Sequence, residues 1–313
     1  MRRKGYTIVY TAAISLISIA MVCFAYVDDC DLQTTATSPD QPGEALVPRA
    51  QEALNEWEGI QSCCGAAINP AKSYWYLLDF AWDGTQWFYR PEEDMPGELQ
   101  VKGLDGATTT LTRNEASVAE KSLGVYMAPD GNTECQVECL KEKASKFAKE
   151  VKAGSPATRN DIWKAFTLTI RPTMYYCMSA STIEPDDWED ISWIINKDTL
   201  PRAGIVRTLK KEVLYGPSKY QGLGAHNFHY RQEITHLKDF VEQVNAGTSC
   251  GTRLQITVEA LRMETGCPGN ITDVSYSASP DAPQTLGLNP CGNSAEPTGS
   301  PLMTHLGTSN SPE

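Results

Sequence analysis

The residues best suited to chemistry are two adjacent carboxylates, Asp28 and Asp29, in the run Phe24-Ala25-Tyr26-Val27-Asp28-Asp29-Cys30-Asp31-Leu32. Two like charges held side by side between apolar flanks repel each other, and a divalent cation removes that cost. Mg2+ is the natural candidate, because it takes oxygen ligands, few of them from protein, and positions phosphates for in-line displacement. Taken alone, an Asp-Asp pair is more often a surface turn than a metal site. The other reactive side chains offer less. His226, His229 and His236, with Cys250 beyond them, lack the CxxC or HExxH spacing of a zinc site and read as structural or surface residues. Cys135 and Cys139, four apart on a helical pattern, read as free buried thiols. Asn270, in Asn-Ile-Thr, accepts a glycan only in a secreted chain. The sequence contains no phosphate-binding glycine loop and no nucleophile elbow.

The elements that must position the Asp pair follow from local pattern. Asp tolerates turn conformations and the apolar flanks do not, so the run reads as strand, acidic turn, strand. The stretch before it, Thr7 to Val27, is uncharged and follows Met1, Arg2, Arg3 and Lys4. That layout is also the one of a signal peptide or signal anchor, and its length matches the ~20 residues that cross a bilayer. Its Ile, Val, Thr and Tyr content favours a strand leading into the acidic turn. After a polar link, a helix is expected from about Glu44 to Gln61, ended by Cys63, Cys64 and Gly65. Ser73 to Trp82 reads as a strand, Asp83-Gly84 as a hairpin turn and Gln86 to Tyr89 as the return. A second hairpin is expected over Gly97 to Thr112 around Asp105-Gly106, and Leu123 to Met127 as a short strand closed by Pro129, Asp130 and Gly131.

The period then changes. Glu134 to Lys152 and Arg159 to Tyr176 read as helices, followed by another over Pro185 to Pro201, a glycine-rich segment over Tyr215 to Gly224, and a helix from about Tyr230 to Asn245. Beyond Pro268 the chain is mostly Ser, Thr, Pro, Gly and Asn, and no packed structure is expected. The 313 residues, 41% of them hydrophobic, support one large or two small domains and exclude collagen, coiled coil and full disorder. Ten cysteines are too few for a disulfide scaffold. With 27 basic and 39 acidic side chains, a net charge of −12 excludes a non-specific nucleic-acid coat protein. Glu134 to Met178 departs from that balance, with eight basic residues against five acidic, which suggests a phosphate-facing surface.

The order FAYVDD, a helix, GAAINPAKSYWYLLDF, KSLGVYMAPDG and a basic helical segment resembles the second half of a reverse transcriptase, particularly of non-LTR retrotransposons. The resemblance covers roughly residues 5 to 245. It implies an α+β fold, in which a partial polymerase palm of antiparallel strands plus helix (1–128) precedes a helical thumb (129–200), a connection segment (201–267) and a disordered tail (268–313). In the family the Asp pair binds the catalytic metals, so the resemblance implies Mg2+ at Asp28 and Asp29, preceded by Tyr26 and Val27. Gly65, Asn69, Lys72 and Ser73 stand at the positions of the next palm motif, and Lys72, near the leaving pyrophosphate, becomes the general-acid candidate. Ser122 to Val125 resembles the primer-grip strand, with Leu123 and Gly124 approached by the primer backbone. Tyr26, Gly65 and Asn69 join them as substrate- or primer-binding candidates. The implied partners are an RNA template and a DNA primer, with no small-molecule cofactor, and the implied location is intracellular, cytoplasmic or nuclear. YGPSKYQGLG, at Tyr215 to Gly224, resembles a segment found downstream of the polymerase domain in such elements.

The sequence departs from the family in one respect. A further metal-binding Asp and a pocket motif precede the Asp pair in the family, and Met1 to Val27 contains neither Asp nor Glu. Two-metal transfer needs the complete constellation, so the expectation is a fragment, inactive or nearly so by itself and poorly soluble where its sheet lacks neighbours. A reading of another class treats the chain as a non-enzymatic, membrane-anchored or secreted acidic protein with a disulfide-containing ectodomain. That reading explains the basic and apolar amino terminus, and leaves the Asp-Asp hairpin and the SLGV segment unexplained.

Overall fold

A computed structural model describes residues 8–21, 23–26, 29–36, 41–103, 106–152, 156–266 and 301–307. They form a mixture of helices and small, mainly antiparallel sheets. Two compact units divide them: one takes in the residues up to Val118 together with 248–266 and 301–307, and the other spans Ala119–Gly247.

In the first unit, the described part of the apolar amino-terminal stretch is strand. Ile8–Thr11 (β1) pairs antiparallel with Ser18–Met21 (β2), and the connecting turn carries Leu16 at φ 59°. Cys23–Tyr26 (β3) then pairs antiparallel with Asp29–Thr35 (β4). Alternation on β4 buries Cys30 and Leu32 against the first helix, Val47–Cys63 (α1), whose buried residues Val47, Ala50 and Leu54 recur at helical spacing. Pro48 sits in the first turn of α1, where its missing N–H costs nothing, and Gly65 past the end adopts φ 75°. Burial of each of Leu46, Leu54 and Ile68 contributes about 1.5–3 kcal/mol to this core.

The expected strand from Ser73 to Trp82 is two strands, Tyr74–Leu77 (β5) and Phe80–Trp82 (β6), because Asp79 turns inward between them. Its carboxylate takes the Arg90 guanidinium at 2.7 Å and the N–H of Gly43 at 3.2 Å. β6 pairs with Trp87–Tyr89 (β7) around the expected Asp83-Gly84 turn, where Gly84 has φ 103° and Asp83 Oδ1 accepts from the N–H groups of Thr85 and Gln86. Gln100–Lys102 (β8) and Thr108–Thr110 (β9) form the second expected hairpin, and Thr112–Asn114 (β10) lies parallel to β5.

The second unit opens with Glu120–Ser122 (β11) paired to Val125–Met127 (β12). This corrects the expectation of one strand from Leu123 to Met127. Leu123 (φ 49°) and Gly124 (φ 85°) are the two turn residues, both left-handed as a twisted two-residue hairpin demands. Glu134–Lys152 (α2) buries Val137, Leu140, Ala144, Phe147 and Val151. The helix expected over Arg159 to Tyr176 forms as one run with a local widening: Arg159–Ala165 (α3) passes through a π-turn at Phe166–Ile170 into Arg171–Tyr175 (α4). Pro172 has no N–H for the carbonyl four residues back, and the wider turn before it absorbs the loss. Pro185–Arg202 (α5) packs Trp188, Ile191 and Ile195 into the same core as α2. Lys211–Tyr215 (α6) leads through the glycine-rich loop to Phe228–Asn245 (α7), which starts two residues earlier than expected because Asn227 caps it, accepting from the N–H of Tyr230.

The chain then contributes again to the first unit. Ser249–Thr265 (α8) is a helix within the expected connection segment, capped by Thr248 and closed by Gly266 at φ 65°. Glu259 on α8 accepts from the N–H groups of Ile14 and Ser15 at 2.9 and 2.8 Å, and Arg253 lies over the Tyr10 ring. Within the tail expected to lack packed structure, Pro301–Gly307 (β13) inserts antiparallel between β4 and β5, giving a five-stranded sheet in the order β10, β5, β13, β4, β3.

Candidate functional site

The Asp-Asp hairpin is set by register. Tyr26 stands opposite Asp29 and Ala25 opposite Cys30, so Val27 and Asp28 are the two connecting residues. Both lie outside the described residues, as does the side chain of Tyr26. Asp29 is half-buried at the start of β4, and Asp31, two residues on, faces the same side of the sheet. These carboxylates are oxygen donors of the kind Mg2+ takes. Among the described residues, no group of three or more His, Cys, Asp or Glu side chains converges, and Asp28 lies outside them. On the same hairpin, Cys23 and Cys30 are free thiols, and burial, reinforced by the neighbouring Cys23, raises the Cys30 thiol above its ordinary range.

The Gly65 to Ser73 motif is built as a cap and a turn. Asn69 Oδ1 accepts from Ala71 N–H at 3.1 Å, its carbonyl accepts from the Ser73 hydroxyl at 2.8 Å, and Pro70–Lys72 make one tight helical turn with Lys72 exposed. Register relates this turn to the Asp hairpin. Gly307 of β13 stands opposite Asp29 on one side, and two residues earlier His305 stands opposite Tyr74 on the other. Asp29 and the turn carrying Lys72 therefore lie at the same end of the sheet, on either side of β13 and about 10 Å apart by strand spacing. Leu123 and Gly124 belong to the second unit, where the Tyr176 hydroxyl donates to the Leu123 carbonyl and a Cβ on Gly124 would meet the Tyr176 ring at 3.3 Å.

That turn yields a prediction. Leu at φ 49° is strained, and Asn-Gly is the preferred pair for such a turn. Leu123→Asn is expected to stabilise the second unit by about 1 kcal/mol, read as a rise in urea midpoint; an unchanged or lowered midpoint contradicts the turn assignment.

The chain matches no protein-family model, no curated protein and no solved structure.

The exposed side of α2 mixes lysines with Glu134, Glu138, Glu142 and Glu150. Lys143, Lys146, Lys149 and Lys152 recur every third residue along α2 and are all exposed. Lys141 is used differently: its ammonium holds Asp187 at 2.8 Å and Asp190 at 3.2 Å on α5, and the Asp187 hydrogen bond raises its pKa. Cys135 is exposed and Cys139 half-buried, which corrects the expectation of two buried thiols; both are free. His236 bonds to the Met178 carbonyl, and His226 to Tyr175. A polar groove of about 430 Å3 between α1 and β8 is lined by Gln51, Glu58, Glu98 and Lys102, and contains none of the candidate residues.

The glycine-rich segment Tyr215 to Gly224 has a mechanical explanation that its sequence alone does not supply. The N–H groups of Leu223, Gly224 and Ala225 donate back to the carbonyls of Val213, Gly216 and Leu214, closing a loop between α6 and α7. A Cβ on Gly222 would lie 2.1 Å from the Gly216 carbonyl oxygen, so this close crossing requires glycine. The loop delivers His226 to Tyr175, a pairing no local spacing announces.

Proposed function

We propose that the chain is the palm and thumb portion of an RNA-directed DNA polymerase of the non-LTR retrotransposon kind. The observation that carries the reading is the β3–β4 hairpin, whose register leaves Val27 and Asp28 as the connection, with Asp29 first on the returning strand and α1 packed on that strand. Placement of Asp29 and the Lys72 turn at one sheet end supports the same reading. In the polymerase as a whole, a primer 3′-hydroxyl gives its proton to water as its oxygen attacks the α-phosphorus of a deoxynucleoside triphosphate, the bond to pyrophosphate breaks, and the Lys72 ammonium passes a proton to the departing pyrophosphate. Lys72, exposed on its turn, is the proton donor of this reading, and Asp28 and Asp29 would hold Mg2+, which would supply charge stabilisation to the transferring phosphoryl group. Leu123 and Gly124, at a hairpin tip, are its primer contacts, and the location it implies is cytoplasmic or nuclear.

Lys143, Lys146, Lys149 and Lys152 along α2 are the phosphate contacts of this reading, interleaved with the exposed Glu138, Glu142 and Glu150. The anchored or secreted alternative draws no support from the described part of the apolar stretch, which is strand, and no helix among the described residues is long and apolar enough to cross a membrane.

The test is binding of a labelled RNA–DNA hybrid to the full chain, followed by fluorescence anisotropy across a salt series. Hybrid binding is expected, and Lys146→Gln with Lys149→Gln is expected to weaken it while lowering the salt slope by about one unit per lysine. A chain that binds no hybrid even at low salt rules the reading out.

A further inference from the structure

Tyr175, on the last turn of α4, is the centre of a cluster with an unusual charge balance. Arg171 Nε donates to the Tyr175 hydroxyl at 3.1 Å, and His226 Nδ1 lies 2.5 Å from the same oxygen, with the two rings 13° from parallel. The Arg231 guanidinium carbon stands 5.3 Å from the Tyr175 ring centroid, and that of Arg171 5.9 Å. A hydroxyl that accepts from Arg171 keeps its own proton free for His226 Nδ1, and the tautomer that takes it carries the imidazole proton on Nε2. Burial, then the positive charges of Arg171 and Arg231, push the His226 pKa down, in agreement with that tautomer.

The cluster therefore presents two guanidinium forks and one imidazole N–H. Among the described residues, neither guanidinium lies within ion-pair distance of a carboxylate. The Nε of Arg231 is buried and makes no hydrogen bond. In a protein of net charge −12, carboxylates are plentiful, yet two like charges share one phenol ring without one. Such an arrangement is unfavourable by itself and is offset by a bound anion. Arg171, Arg231 and His226 all gather around Tyr175, and arginine forks bind phosphate oxygens in pairs.

We propose that Arg171, Arg231 and His226, organised by Tyr175, form a phosphate-binding site. The glycine-rich loop is the device that completes it, since closing that loop brings His226 to the cluster. This site does not depend on the polymerase reading: its phosphate is either a phosphodiester of a nucleic-acid backbone or a free phosphate.

The full chain, labelled at its four histidines, is titrated with inorganic phosphate and separately with an RNA–DNA hybrid, at matched ionic strength, while the imidazole resonances are followed. The His226 resonance is expected to move saturably with phosphate and to stay still with chloride. Arg171→Gln and Arg231→Gln are each expected to weaken the response about tenfold, as loss of a charged hydrogen bond predicts. An unmoved His236 resonance verifies that the variants are folded, since His236 reports on its own bond to the Met178 carbonyl. If the hybrid also moves His226 and the variants bind it more weakly, the backbone is the source. Movement with phosphate alone leaves the site intact with free phosphate as its ligand, and if no hybrid binds at all the polymerase reading fails while the site stands. A His226 resonance that neither phosphate nor hybrid moves in the wild-type chain overturns the proposal, whatever the variants do.

Discussion

Gln232→Leu is expected to destabilise the unit formed by Ala119–Gly247 by about 3–5 kcal/mol, the largest loss expected from a substitution of similar size. The Gln232 side chain is fully buried on α7, and every hydrogen bond it makes is to another buried group. Its oxygen accepts from the N–H of Ile183 and the indole of Trp188, each at 3.0 Å, and its amide donates to the carbonyl of Ile183, also at 3.0 Å. Leucine fills the space and strands two donors and one acceptor in a dry core, where each unmet group costs about 1–3 kcal/mol. The Trp188 indole N–H resonance, followed through a urea titration, reads the loss directly, because that N–H donates to Gln232. A midpoint within error of wild type would show that the amide clamp is not formed.

Gly222→Ala is expected to cost roughly 4 kcal/mol or more, in the range reserved for backbone strain that nothing can relax. The added methyl would stand 2.1 Å from the Gly216 carbonyl oxygen and 2.3 Å from its carbonyl carbon, and both are backbone atoms held by the loop's own hydrogen bonds. The same chemical change at Gly59 has the opposite expected sign. Gly59 lies inside α1, and a Cβ there meets nothing within 4 Å, so Gly59→Ala is expected to stabilise by about 0.5–1 kcal/mol. Thermal melts of the two variants against wild type check both, and equal shifts would refute the close crossing at the loop.

Much of the local structure was legible because local residues dictate it. The Asp83-Gly84 hairpin and the helical period of α2 are each specified by neighbours a few positions away. What was missed has a different origin. Leu123 gave no sign of a left-handed turn, because leucine rarely adopts one; only the adjoining Gly124 hinted at it. Helix α8 carries Leu254, Val258 and Leu261 at i, i+4 and i+7, a helical spacing that was overlooked, while Ile256, the buried one, lies off that face. The capping pair Thr248 and Gly266 was a second available signal. Half of the candidate site was readable: the strand, acidic connection, strand pattern is local, whereas the approach of Asp29 to the Lys72 turn depends on a strand far along the chain. Tyr175 and His226 lie 51 residues apart, and their meeting depends on a loop whose glycines stand out in the sequence without revealing what they allow to cross.

The five-stranded sheet has a consequence for the order in which the chain can assemble. β13 pairs with β4 across about 270 residues, and such remote pairings carry a high loop-closure cost and form slowly. On a translating ribosome, α2 to α7 emerge as one contiguous run and can pack as they appear. β4 and β5, made much earlier, must wait for Pro301–Gly307 with their facing edges unpaired, and during that interval they are open to strands of neighbouring nascent chains. Crowded polysomes should therefore entangle this protein through its first-made strands, and a holdase that shields open sheet edges should raise its yield more than slower synthesis would.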